Sequence, residues 1–250
     1  MRIFIINLER SVERKTALEA RCQALGLSVE FIPAIDGRQL NEEEIKNTAQ
    51  AVNYAFLPGE IGCALSHQLI YKKMIRENIT QALILEDDVI LPDDLAELLA
   101  TLPACPPQPS VRLLSRVNKY YRSPCHVTKT YAINKVYSAT TAHSYIINLA
   151  AAENLLEALF PVWMTADKWM LFADYTSLRV DAVIPAPIKL APSASDSTIN
   201  AKKDDIITKK TKKEIWQKLM KKRPLIAKIR EKIRRGLHPL FNKIVDQGKE

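Results

Sequence analysis

Glycine is scarce in this chain, with six among 250 residues. Neither GxGxxG nor GxxxxGK[ST] occurs, so the Gly-rich loops that let a backbone approach a pyrophosphate closely are missing. The GxSxG turn that exposes the nucleophilic serine of α/β-hydrolases is missing as well. These absences disfavour nucleotide triphosphate hydrolysis and hydride transfer on a dinucleotide.

Long apolar runs and CxxC motifs are also lacking. No apolar run reaches the roughly 18 residues of a membrane-spanning helix, and Met1–Asn7 is too short for the apolar core of a signal peptide. The four cysteines, Cys22, Cys63, Cys105 and Cys125, show no CxxC spacing. The sequence therefore predicts a cytoplasmic protein with reduced thiols.

A histidine follows one of these cysteines at helical spacing. Cys63 and His67 are four residues apart, which places them on one face of a helix. A metal site would need two further ligands, and the sequence shows no obvious ones. We therefore expect this pair to pack in the core.

Charge divides the chain into two parts. Residues 1–200 carry 19 Lys and Arg against 22 Asp and Glu, a net charge of −3, whereas residues 201–250 carry 17 against 6, a net charge of +11. The composition, 47% hydrophobic and 26% charged, is that of an ordinary globular protein. The sequence predicts one enzyme-sized domain over 1–200 and a strongly basic tail over 201–250.

The first 200 residues alternate between strand and helix patterns, which is typical of an α/β fold. The strand–helix–strand beginning predicts parallel strands joined by a right-handed crossover. Residues 119–130 are polar and rich in tyrosine, and no element is assigned to them. The predicted strands are 2–8, 29–34, 82–85, 111–117, 142–148 and 177–184, and the predicted helices are 11–25, 41–50, 61–78, 95–100, 150–160 and 166–173.

Three adjacent carboxylates interrupt an apolar run in the stretch LILEDDVIL, residues 83–91. Glu86, Asp87 and Asp88 follow an apolar run that predicts a strand buried on both faces of a parallel sheet, and Pro92 ends the pattern. Ligands of open α/β sheets bind at the carboxyl ends of such strands. Hard cations such as Mg²⁺ or Mn²⁺ favour carboxylates together with substrate phosphates. The pattern fits either a metal site or a solvated strand end.

Several motifs together resemble one family, the glycosyltransferases of family 25, over roughly residues 2–200. They are NLER at 7–10, AIDG at 34–37, LPGEIGCALSH at 57–67, LILEDDVIL at 83–91 and AHSYIIN at 142–148, followed by Asp167. The resemblance implies a GT-A-type fold, a Rossmann-like mixed sheet flanked by helices. It also implies a nucleotide-sugar donor, in the first place UDP-galactose, dependence on Mn²⁺ or Mg²⁺, and inversion at the anomeric carbon of a hexose moved onto lipooligosaccharide or lipopolysaccharide.

The resemblance also assigns roles around the acidic stretch. Asp88, with Glu86, would hold the cation, and Glu86 and Asp87 would contact the metal or the ribose. The other donor-site candidates follow the first two strands or end the long motif; they are Asn7, Arg10, Arg14, Asp36 and His67. Solvent exposure of the arginines, a backbone bond of Asp36 in its own turn and simple packing of His67 are the alternatives.

An inverting transferase needs a general base for the acceptor hydroxyl. By resemblance we place this role on Asp167, with Asp174 in reserve, although Asp167 could instead cap a short helix. His143 is a further candidate for lining the site. The stretch Thr140–His143 departs from the small residues that the family often has before this strand, which affects the acceptor side.

Two other functions compete with sugar transfer. A metal-dependent phosphotransferase or nuclease could use the same carboxylates, although two-metal sites usually need further ligands. A nucleic-acid-binding protein could use the basic tail, but that tail offers only Trp216 and Phe241 for base stacking. The sequence therefore predicts no nucleic-acid partner.

The tail shows two basic amphipathic stripes separated by Pro224. The first comprises Ile215, Trp216, Leu219 and Met220; the second comprises Leu225, Ile226, Ile229, Ile233, Leu237, Leu240, Phe241 and Ile244. Basic helices of this kind lie on anionic membrane surfaces. The tail is thus predicted to attach the enzyme to the inner face of the cytoplasmic membrane, where lipid-linked saccharide acceptors would be met. The alternative is packing on the body or on a second subunit.

Overall fold

The structure is a computed structural model, and it describes residues 1–192 and 206–248. Within these residues ten strands form one sheet, in the order β12-β6-β8-β10-β5-β9-β3-β1-β2, with β7 paired to β8. The strands are β1 Arg2–Asn7, β2 Glu30–Pro33, β3 Gln81–Glu86, β4 Val89–Ile90, β5 Ser110–Leu113, β6 Lys119–Tyr121, β7 Cys125–His126, β8 Ala132–Ser138, β9 Ser144–Asn148, β10 Arg179–Ile184, β11 Lys189–Leu190 and β12 Ile244–Asp246. The short strands β4 and β11 pair with each other outside this sheet.

Helices cover both faces of the sheet. They are α1 Val12–Ala24, α2 Glu42–Thr48, α3 Pro58–Arg76, α4 Leu95–Thr101, α5 Leu149–Leu159, α6 Trp169–Thr176, α7 Ile206–Lys221, α8 Leu225–Lys232 and α9 His238–Phe241, with a π-helical turn at Ile233–Leu237. Helices α3, α5 and α6 pack on one face and α1 and α4 on the other. The predicted mixed α/β sheet flanked by helices is confirmed.

The strands that carry the predicted site lie side by side. β1 pairs in parallel with both β2 and β3, as the strand–helix–strand pattern predicts. The expectation that β3 lies in a parallel sheet is wrong on its other side, because β9 runs antiparallel to it. β3 is buried from Ala82 to Leu85, so its apolar run reflects burial on both faces and not strand direction.

The segment between β5 and β9 differs most from the sequence prediction. Residues 119–130, which received no element, form β6 and β7, and the unpredicted strand β8 pairs with both of them. The buried residues of β8 do not follow the alternation of a half-buried strand, because Ile133 and Val136 lie on opposite faces and Lys135, on the face of Ile133, is exposed. Polar neighbours such as Asn134 further obscure the strand in the sequence.

The basic tail packs partly on the body. From α7, Trp216, Leu219 and Met220 pack against the large core cluster, and the Trp216 ring meets the Tyr54 ring edge-on with centroids 5.4 Å apart. Its last strand, β12, pairs with β6. Ile244 therefore belongs to a strand, and its assignment to the second helical stripe is wrong because the chain leaves the helix after Phe241 and finds a partner at the sheet edge.

The second stripe remains at the surface. Leu225, Ile226, Leu240 and Phe241 are all at least half exposed. No helix within 1–192 and 206–248 has both the length and the apolar content that crossing a bilayer requires. The predicted boundary near Asn200 lies outside the described residues.

Candidate active site

A cavity opens at the carboxyl ends of β1, β2 and β3, the edge at which α/β sheets bind ligands. Most of the residues predicted from sequence line it: Arg10, Arg14, Asp36, His67, Glu86, Asp87 and Asp88. The parallel register that sets Ile6 beside Glu86 brings the ends of the first and third strands together. The motifs that are scattered along the sequence thus meet at one place.

Asp87 is held by the first strand and the first helix. Its Oδ2 accepts a hydrogen bond of 2.7 Å from Asn7 Nδ2, and its Oδ1 lies 3.3 Å from Arg14 Nη1. Asn7 is buried at the end of β1 and also donates to the carbonyl of Ser11. Asn7 therefore does not line the cavity itself but fixes the carboxylate that does.

Glu86 faces the opposite way, toward α3. Its Oε1 lies 3.4 Å from His67 Nε2, and its backbone N–H donates to the carbonyl of His143. Burial raises the pKa of the Glu86 carboxyl, but the hydrogen bond from His67 and the His67 and His143 rings outweigh it, so the pKa lies below its usual value. Glu86 is therefore a carboxylate at neutral pH.

Asp88 is the least satisfied of the three acids. Its Oδ1 is buried and has no hydrogen-bond partner among the described residues. Burial, together with the charges of Glu86 and Asp87, raises the pKa of Asp88 to about 6, with Arg14 opposing the shift. An oxygen that lacks a partner in an acidic cavity fits a hard cation, which often binds through one or two carboxylates and completes its shell with substrate phosphates.

Two glycines join the motifs that flank the cavity. A Cβ on Gly37 would lie 1.7 Å from the carbonyl oxygen of Pro58, and one on Gly62 would lie 2.4 Å from that of Ile35. Ser66 adds a tether, because its Oγ accepts from the Ile35 N–H at 2.8 Å. The turn after β2 and the start of α3 can approach this closely only because both positions lack a side chain.

That approach places Asp36 at the rim of the cavity. Asp36 forms an ion pair with Arg10, and its Oδ1 also accepts from the backbone N–H of Arg38 at 3.2 Å. Asp36 thus makes the backbone contact expected of its turn, and the same side chain also lines the cavity. Arg10 keeps 43% of its side chain exposed, so it can still reach a ligand.

Asp167 does not line this cavity, although its negative charge acts to raise the pKa of the Glu86 carboxyl. Its Oδ1 accepts from Thr165 Oγ1 at 2.5 Å, and its Oδ2 lies 2.9 Å from Lys168 Nζ. Lys168 in turn lies over the Tyr54 ring. The carboxylate is 28% exposed and is held before the first turn of α6.

The structure does not bring Asp174 to the cavity. Its side chain is 5% exposed, and both oxygens accept from Arg234 of the tail, at 3.1 and 2.5 Å. The geometry gives this carboxylate a buried ion pair with the tail, and its reserve role as a base stays a prediction.

Sequence reasoning missed residues behind His67. Its Nδ1 lies 2.8 Å from the Tyr145 hydroxyl, which lies 2.8 Å from that of Tyr71. The spacing of His67 and Tyr71 on α3 could have indicated a shared face, but the contact of both with β9 needs the fold. Burial raises the pKa of Tyr71 and of Tyr145, so both phenols stay protonated.

Comparison with known proteins gives matches to one family. The sequence profile of glycosyltransferase family 25, described as an LPS biosynthesis protein, matches residues 1–170. A glycosyltransferase 25 family member of Aedes aegypti is 41% identical over 100 residues, which are 35% of this chain and 16% of that protein. Procollagen galactosyltransferase 2 of Homo sapiens is 33% identical over 100 residues, 35% of this chain and 15% of that protein. The chain thus spans about a sixth of the length of these relatives.

One solved structure with a similar fold is a glycosyltransferase involved in glycosylation of the major capsid of PBCV-1. It matches with a TM-score of 0.34 and 12% identity, covering 64% of this chain and 65% of that chain. A likeness of this size concerns the fold alone.

Proposed function

Because the chain belongs to glycosyltransferase family 25, we propose that it transfers a hexose, in the first place galactose from UDP-galactose, to a saccharide of lipooligosaccharide or lipopolysaccharide. The transfer inverts the anomeric carbon. The observation that carries the proposal is the cavity in which the three acids of residues 86–88 and the guanidinium groups of Arg10 and Arg14 meet. Few ligands suit both charges as well as a nucleoside diphosphate bound with a cation.

Asp88, with Glu86, is the proposed ligand of Mn²⁺ or Mg²⁺. A bound divalent ion would neutralise the charge that develops on the departing diphosphate. The unpartnered Asp88 oxygen supports this assignment. Asn7 and Arg14 keep the Asp87 carboxylate turned toward β1, where it is available to a ribose hydroxyl.

The two arginines are the proposed contacts of the donor's uracil or diphosphate. Arg14 follows the first strand on α1 and lines the cavity, and Arg10 stands at its rim beside Asp36. Guanidinium groups suit phosphate oxygens because their fork of N–H donors matches the anion's geometry. His67 closes the floor between α3 and β3.

Asp167 is the proposed general base. As the acceptor oxygen forms its bond to the anomeric carbon and the bond to the diphosphate breaks, the hydroxyl proton would pass to an Asp167 oxygen. Thr165 and Lys168 hold the carboxylate in a fixed orientation. The effect of its charge on the Glu86 carboxyl supports a place within electrostatic reach of the donor site.

The tail is the proposed membrane contact of this enzyme. The apolar side chains of the second stripe point to solvent within a segment that carries most of the chain's excess positive charge. Each basic residue near an anionic surface contributes roughly 1 kcal/mol, so attachment to the inner face of the cytoplasmic membrane requires no spanning helix.

A donor screen tests the proposed reaction. Purified full-length protein is incubated with Mn²⁺, a panel of UDP-sugars and truncated lipooligosaccharide glycans, and mass spectrometry follows addition of one sugar. We expect addition of a hexose from UDP-galactose. Addition of no sugar from any donor, or hydrolysis of phosphate esters or nucleic acid instead, would contradict the proposal.

A further inference from the structure

Three side chains of different chemistry converge beside the acidic turn. Helix α3 presents Cys63 and His67 one turn apart, and Glu86 meets them from the end of β3. Ligand atoms of the three, one from each side chain, all lie within 4.8 Å of one another. The third member lies 19 residues beyond His67, and for this reason the sequence showed only a pair.

We propose that Cys63, His67 and Glu86 bind a thiophilic divalent cation such as Zn²⁺. Thiolate, imidazole and carboxylate are the ligands that zinc takes in proteins, whereas Mg²⁺ and Mn²⁺ prefer oxygen alone. A tetrahedral zinc ion holds neighbouring ligand atoms about 3.5 Å apart, so the side chains need to move by only about an ångström. The fourth position would face the cavity, which all three residues line.

The surroundings of His67 suit a metal ligand. Its Nδ1 is already bonded to the Tyr145 hydroxyl, which leaves Nε2 directed at Glu86. Tyr145 and Tyr71 form a chain of two hydroxyl groups, and either oxygen of that chain can act as donor. Tyr145 can therefore accept the Nδ1–H of a metal-bound imidazole, the second contact that fixes the ring of most histidine ligands.

Glu86 connects this site to catalysis, a consequence that rests on the proposed function. The same carboxylate is proposed to help hold Mn²⁺ with Asp88, and it cannot serve both ions fully. Zn²⁺ bound to Cys63 and His67 would withdraw Glu86 and place a second cation where the donor enters. Zinc is therefore expected to inhibit transfer. The inhibition seen at the lowest Zn²⁺ concentrations should be lost when Cys63 is replaced.

Cobalt provides a direct probe because a Co²⁺–thiolate bond gives an intense near-ultraviolet charge-transfer band. The full chain under reducing conditions is titrated with Co²⁺ as wild type, as Cys63→Ser and as Cys125→Ser, a matched control whose exposed thiol lies on β7. The wild type and Cys125→Ser should show the band at one equivalent, and Zn²⁺ should remove it. Cys63→Ser should lack it while its circular dichroism is unchanged.

A band that persists in Cys63→Ser or disappears in Cys125→Ser would overturn the site, as would Co²⁺ binding without any thiolate band. His67→Gln serves as a second variant and should weaken Co²⁺ affinity at least tenfold. The binding test is independent of the enzyme assay. A thiolate band in a protein that transfers no sugar would uphold the metal site and reject the proposed function, whereas transfer without the band would do the reverse.

Discussion

Arg234 of the tail forms a two-pronged ion pair with Asp174 of α6, with Nε and Nη2 donating to separate carboxylate oxygens at 3.1 and 2.5 Å. Both side chains are largely buried. Sixty residues separate them in the sequence, so the pair links the tail to the body through a contact that local sequence patterns do not predict. The basic tail is thus packed on the body through this buried pair.

Removal of one partner should therefore be costly. Arg234→Met leaves the Asp174 carboxylate buried without a counter-charge, and such losses amount to about 3–5 kcal/mol of unfolding free energy. Arg235→Met is the matched control, because Arg235 is 66% exposed and pairs with Glu231 at the surface, where less than about 1 kcal/mol is expected. Urea denaturation measures both variants, and equal losses would contradict the role of the buried pair.

A second prediction separates membrane contact from folding. Leu240 and Phe241 are 75% and 81% exposed, so replacing both with Ser should leave the melting temperature within a few degrees. The variant should pellet much less with anionic liposomes than the wild type, since the apolar contribution to interfacial binding is lost. Neutral liposomes serve as the control surface. Undiminished pelleting of the double variant on anionic vesicles would argue against an apolar contact.

The tail also shows where sequence analysis stops. Its helical stripes and its charge could be predicted, because periodicity and composition are local properties. Which of the two stripes packs on the body could not be predicted, because Trp216 contacts Tyr54, a residue from the loop before α3.

For the same reason the acidic turn after β3 was predictable from LILEDDVIL, whereas the meeting of Glu86 with Cys63 required α3 to lie against the end of that strand. Strand β8 was missed because its buried residues, Asn134 among them, do not alternate with exposed ones.

The raised pKa of Asp88 predicts a pH-dependent cost. Its pKa of about 6 in the fold exceeds the ordinary 3.8, so the folded state binds the proton more tightly and stability falls as pH rises from about 4 to 6. Without metal, Asp88→Asn should therefore be more stable than the wild type above pH 6, by at most about 3 kcal/mol at roughly 1.4 kcal/mol per pKa unit, and no more stable below pH 4.

Addition of Mn²⁺ should reverse that order. Binding to the folded state raises the free energy of unfolding by RT ln(1 + L/Kd), where L is the free ion concentration, so the wild type should gain more than Asp88→Asn, which lacks the charged ligand and binds the ion more weakly. Thermal denaturation at pH 8 and below pH 4, with and without Mn²⁺, measures both effects. An equal Mn²⁺ gain in the two proteins would mean that the ion binds elsewhere.

Asp167→Asn tests the general base. The amide cannot take the acceptor proton, so kcat should fall by about 10²–10⁴-fold, while KM for the sugar donor should change by only a few-fold because the donor contacts remain. Asp93→Asn is the control, since that carboxylate is 95% exposed and pairs with Arg21. Lost donor binding with an intact rate would instead give Asp167 a donor-site role.

The most direct measurement is transfer of a hexose from UDP-galactose to a lipooligosaccharide glycan, followed in parallel for wild type and Asp88→Asn with Mn²⁺ and with excess chelator. We predict that the wild type transfers the sugar with Mn²⁺ and does not transfer it in excess chelator. The activity of Asp88→Asn with Mn²⁺ should be at least about 10²-fold lower, because Asp88 is the proposed ligand of the ion that stabilises the leaving diphosphate. Full activity of the wild type in chelator, or of Asp88→Asn with Mn²⁺, would contradict the proposal.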